Sequence, residues 1–107
     1  NSVPYDGKAF FPSWSNRKRT VYFRKNALKN GYSYLLGLTR HELGHVLGFR
    51  HEHIHKNNPS KCSEGGDWDY ITSYDSASIM HYRRCGGTGA MLKLTSRDNR
   101  GVRIAYP

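Results

Sequence analysis

His41-Glu42-Leu43-Gly44-His45-Val46-Leu47-Gly48-Phe49-Arg50-His51 is the stretch that organises this chain. Residues four apart share a helix face, so His41 and His45 on a helix aim two ring nitrogens at one point. Glu42 is long enough to reach beside an ion held there without binding it. Gly48 can take the left-handed conformation that stops a helix and turns the chain, and that turn lets His51 return as a third nitrogen donor. Three imidazoles suit Zn²⁺ and leave its fourth position for water, which is the pattern of a catalytic site. Five fixed identities at these offsets arise by chance on the order of once in ten thousand such chains. A helix that merely carries two exposed histidines is therefore set aside. A purely structural zinc site is disfavoured too, because no further Cys or His is placed to close it.

Outward from this stretch, Tyr34 to Leu47 reads as a helix with Leu35, Leu36, Leu43, Val46 and Leu47 at helical spacing. Ser33 can cap it and Gly48 can end it, while Thr39 and Glu42 also have capping-box spacing one turn later. Upstream, Thr20 to Lys25 is a β-branched and aromatic run that predicts a short strand, preceded by an irregular lead-in over residues 1 to 19. Downstream, Arg50 to Arg84 is polar and turn-rich, and Cys85 to Gly89 reads as a loop. Thr95 with Asp98 three residues on predicts a capped helix to about Ala105, burying Val102 and Ile104 and carrying Arg97, Arg100 and Arg103 outward. No repeat or linker divides the chain. Two helices, one or a few short strands and long loops make a small α+β domain spanning 1–107.

The 107 residues are 36% hydrophobic and 13% aromatic, enough aromatic content to exclude a disordered tail. No apolar run approaches the roughly 20 residues that cross a bilayer. The opening Asn1-Ser2-Val3-Pro4 is expected to be a processed or trimmed end. Net charge is +9, yet the basic residues are scattered, and the densest run, Arg17-Lys18-Arg19, is short. A solvated face or a non-specific anion patch fits this better than a nucleic-acid or membrane-surface binder. Cys62 and Cys85 are not in CxxC spacing, so a single disulfide in an oxidising compartment is expected, with two free thiols in a reducing one as the alternative. A bridge there is worth about 3 kcal/mol in the chain-entropy model.

HELGHVLGFRH resembles the extended zinc motif of the metzincin metallopeptidases. The following Glu52, and Ser78-Ile79-Met80-His81-Tyr82, are most similar to the astacin branch and its bacterial relatives. The resemblance covers residues 38 to 107, the final LTSRDNRGVRIAYP being similar to the clan's closing helix. It implies a small metzincin-like zincin domain with an active-site helix, a methionine turn at Met80 and a C-terminal helix. Only 40 residues precede His41, where metzincins place a longer twisted sheet, so the N-terminal sheet is expected to be reduced or truncated. The resemblance further implies one catalytic Zn²⁺ on His41, His45 and His51, with Tyr82 as an added ligand that swings away to assist the reaction. Glu42 is then the general base of a secreted, monomeric zinc endopeptidase that acts on protein or peptide substrates through a metal-activated water. The alternative is a zinc-stabilised basic binding module without turnover. In astacins the acid after the third histidine contacts the mature N-terminus, which is weakly transferable to Glu52. Otherwise Glu52 is a solvated acid or a support for its neighbouring ligand. Surface or hydrogen-bonding roles are expected for His53, His55 and His81.

Overall fold

A computed structural model describes residues 6–58, 62, 64–65, 68–89 and 93–107. The chain forms two compact units, residues 1–49 and 50–107. In the first, strand β1 (Gly7–Lys8) pairs antiparallel with β2 (Tyr22–Phe23), Gly7 opposite Phe23 and Lys8 opposite Tyr22. The strand expected over Thr20–Lys25 is thus cut to its two aromatic residues, because its partner is only two residues long and Lys25 already begins a 3₁₀ segment, Lys25–Asn30. Helix α1 (Tyr32–Val46) follows. Asp6, just before β1, accepts hydrogen bonds from the side chains of Arg24 and Tyr34 and so ties the ladder to α1. Burial, helped by the Asp6 carboxylate, pushes the Tyr34 hydroxyl up to about 12.

Helix α1 starts at Tyr32, two residues before the Tyr34 start expected behind a Ser33 cap. Gly31 stands at the N-cap with no side-chain cap bond. Thr39 does not begin a helix either: it sits within α1 and its hydroxyl donates to the Leu35 carbonyl at 2.7 Å. The apolar periodicity also misplaces the inner face. Leu43 and Leu47 are 49% and 42% exposed, whereas Gly37, Leu38, His41, Glu42 and His45 are buried. Residue 43 lies about 200° round the helix from residue 41, so burying the histidine face turns Leu43 and Leu47 outward. Among the described residues of this unit, the buried apolar side chains are Ala9, Ala27 and Leu38.

In the second unit Ser78, Ile79, Met80, His53, His81 and Cys85 are buried. Helix α2 (Ser96–Ala105) begins on the expected capping box: Asp98 N–H donates to Thr95 Oγ1 at 3.0 Å, and Thr95 N–H donates to Asp98 Oδ2 at 2.9 Å. The same carboxylate accepts the Ile79 N–H at 3.0 Å and the Ser78 hydroxyl, clamping the turn before Met80 to the start of α2. Arg97, Arg100 and Arg103 point outward as expected, but Ile104 is 51% exposed. The inward face of α2 is set by Asp98 and Gly101, and Ile104 lies about 120° round the helix from Asp98. Cys62 and Cys85 form a disulfide with Cα atoms 5.8 Å apart. No helix of the described residues is long and apolar enough to cross a membrane.

Asp98→Ala should remove both the cap and the acceptor of a buried Ile79 N–H. Losses of about 2–4 kcal/mol in unfolding free energy are expected from a lost cap plus an unsatisfied donor. Urea unfolding followed by circular dichroism measures this.

Candidate metal centre

His41, Glu42 and His45 lie on the buried face of α1, at 2%, 4% and 7% exposure. Three polar side chains together in an interior are costly unless each finds a partner. The rings of His41 and His45 meet edge to face with centroids 4.9 Å apart, and Phe11 packs edge-on against His45 at 5.3 Å. His45 Nδ1 is 2.8 Å from the Phe49 carbonyl oxygen. A carbonyl only accepts, so Nδ1 carries the proton and Nε2 is left as a lone-pair donor.

That contact exists because α1 stops where it does. Phe49 N–H donates to the Gly44 carbonyl at 2.9 Å and Gly48 N–H to the His45 carbonyl at 2.9 Å, closing the helix end. Gly48 sits at φ 100°, in the left-handed region, as its place in the motif predicts. At the other end of the unit, a Cβ on Gly7 would fall 2.7 Å from Glu42 Oε2, so the bare backbone of β1 makes room for the carboxylate. Burial pushes the Glu42 carboxyl up to about 7.

In the second unit, His51 Nδ1 is 2.7 Å from Glu64 Oε2. Its ring packs on Tyr82 with centroids 4.2 Å apart and stacks on His53 at 4.9 Å. Tyr82 itself is held through its backbone: its carbonyl accepts from Cys85 N–H and Gly87 N–H, each at 3.1 Å, and from His81 Nδ1 at 2.9 Å. The Met80 carbonyl accepts the N–H of Glu52 at 2.9 Å, tying the turn at Met80 to the chain just after His51.

His41 and His45, two imidazoles four residues apart on a buried helix face, form a donor pair of the kind that zinc takes. Within the second unit, one ligand atom from each of His51, His53 and Glu64 lies within 4.8 Å of the others, so these three could hold a metal ion.

The other histidines are less exposed than expected. His53 is buried, and burial lowers its pKa. His81 is buried too, with Nε2 2.6 Å from the Tyr74 hydroxyl, while half-buried His55 accepts the Asn57 N–H at 3.2 Å. Glu52 is neither fully solvated nor idle: its Oε1 accepts the Asp75 N–H at 3.0 Å, and burial pushes it up to about 7. Its expected contact with the N-terminus falls on Asn1, which lies outside the described residues. Sequence reading missed Glu64, which has no periodic relation to the motif; its proximity to Cys62 is the only hint.

The chain is 32% identical to Tolloid-like protein 1 of Homo sapiens over 90 aligned positions, which cover 64% of this chain and 9% of that protein. It is 33% identical to Tolloid-like protein 2 of Mus musculus over 88 positions, 63% of this chain and 9% of that protein. The match therefore spans less than a tenth of the length of these relatives. No protein-family model and no solved structure matches the chain.

Gly48→Ala tests the turn. The added Cβ would meet only Pro12, at an ordinary 3.6 Å, so crowding is not the issue. Left-handed strain should still cost about 1–2 kcal/mol. The shift in unfolding midpoint measures it.

Proposed function

We propose that this chain is the catalytic domain of a secreted, astacin-like zinc endopeptidase of metzincin type, acting as a monomer on protein or peptide substrates. The observation that carries the reading is the buried face of α1 on which His41, Glu42 and His45 stand together. The disulfide supports an oxidising compartment, and the likeness to the Tolloid-like proteins points to the same branch.

His41, His45 and His51 would hold the ion, with Tyr82 beside them. When bound, zinc supplies Lewis-acid polarisation and a water acidic enough to ionise near neutrality. Glu42 takes the proton of the attacking water as general base and delivers it to the leaving amine. Gly7 leaves that carboxylate room, and its burial keeps bulk water from competing for the proton. The Tyr82 hydroxyl donates to the charge that develops on the scissile carbonyl oxygen. No group in this cycle reads nucleic acid.

Incubation with a denatured protein mixture, with and without a chelator, tests the reading. Hydrolysis should require the metal and return when zinc is restored. Glu42→Gln keeps size and polarity but removes the base, so zinc content should persist while turnover falls by orders of magnitude. Stoichiometric zinc with no hydrolysis by the wild type would instead mark a binding module.

Tyr82→Phe removes one oxygen and leaves the ring free to pack on His51. Turnover should drop by about 1–3 kcal/mol of transition-state stabilisation with KM little changed. Steady-state kinetics on a peptide substrate measures both.

A further inference from the structure

We propose that Glu64 is the positioning residue of His51, fixing the tautomer and ring orientation in which this histidine presents Nε2 to a divalent cation. The inference deepens the zinc reading above and rests on it.

A carboxylate accepts, so the 2.7 Å contact between His51 Nδ1 and Glu64 Oε2 places the imidazole proton on Nδ1. In the neutral ring the remaining lone pair then belongs to Nε2. His45 reaches the same state by a different route, its Nδ1 committed to the Phe49 carbonyl at 2.8 Å. A backbone carbonyl can serve His45 because the helix end brings one there. His51 lies beyond the helix on irregular chain, and its acceptor comes from a side chain 13 residues on. An anionic acceptor makes a shorter, stronger bond than a neutral one and raises the basicity of the imidazole as a ligand.

The carboxylate is itself held. Its Oε1 lies 3.7 Å from Arg50 Nη2, and the same guanidinium nitrogen donates to the Gly65 carbonyl at 2.8 Å. His53 Nε2 sits 3.4 Å from Oε2, on a ring stacked with that of His51 at an interplanar angle of 19°. Two residues before Glu64, the Cys62–Cys85 disulfide anchors the segment that carries it. Arg50, His53 and the disulfide therefore restrain the acceptor from three directions, and an orienting group has to be restrained in this way to hold its ligand.

Zinc affinity separates this role from a structural one. Wild type, Glu64→Ala and Glu64→Gln are compared by competition with a chromogenic chelator, on samples matched by circular dichroism and unfolding midpoint. Affinity should fall about ten- to a hundred-fold in Glu64→Ala. Glu64→Gln keeps an acceptor oxygen without the charge, and should fall between the two. It carries the test alone if the alanine variant does not fold. In a His51→Ala background the Glu64→Ala change should alter affinity less than about twofold, because a positioning residue acts only through the ligand it positions. Equal losses in both backgrounds would show that Glu64 acts through the fold and overturn the proposal. Wild-type affinity in both Glu64 variants overturns it as well. So do two zinc equivalents in the wild type falling to one in Glu64→Ala, which would make Glu64 a ligand in a second site with His51 and His53. Absence of zinc from the wild type would overturn the metal centre itself, an outcome distinct from the other three.

Discussion

Burial of His41, Glu42 and His45 along one face of α1 is the constraint around which the first unit is organised. An ordinary amphipathic helix turns leucines inward and polar groups to water. Here Leu43 and Leu47 are sacrificed to solvent so that two imidazoles and a carboxyl can be enclosed. Each enclosed group then needs a reason to stay. Phe11 covers the His45 ring, the Phe49 carbonyl takes its Nδ1 proton, and β1 offers a glycine where any side chain would collide with Glu42. Asp6 locks the ladder to the helix through Arg24 and Tyr34, so the short strands act as a fixed wall despite having only two residues each.

The second unit solves a different problem, holding irregular chain in register without a sheet among its described residues. Asp98 does much of this through one carboxylate that serves both as helix cap and as acceptor for the turn before Met80. Glu52 bridges to Asp75 in the same manner, its backbone N–H on the Met80 carbonyl and its side chain on the Asp75 N–H. Carboxylates that accept backbone donors stand in for the ladder bonds that strands would supply, and the disulfide closes the segment between residues 62 and 85. Small domains with thin cores depend on such staples.

The motif was legible because its chemistry is local. The His41–His45 spacing, the stop at Gly48 and the Thr95–Asp98 box each depend on residues within one or two turns, and all appear where spacing puts them. The Cys62–Cys85 bridge was legible from cysteine count alone. What periodicity could not reveal was which side of α1 faces inward, since that is decided by the enclosed histidines and not by the leucines. The exposed Ile104 and the shortened strand at Tyr22–Phe23 have the same origin: each depends on what lies opposite, which a single segment does not encode. Glu64 was invisible for a related reason, because its hydrogen bond to His51 spans 13 residues of turn-rich chain with no periodic pattern.

The backbone at Tyr82 has a consequence for motion. Its carbonyl is engaged by the N–H groups of Cys85 and Gly87 and by the His81 ring, and the 3₁₀ turn Arg83–Cys85 begins at the next residue. With the main chain pinned from both sides, the phenol can change place only by turning about χ1 and χ2. Such torsional hops belong to the fast end of protein dynamics, whereas carrying the ring on a shifting loop would take nanoseconds to microseconds. A ring turning in this way leaves the backbone bonds around Tyr82 in place.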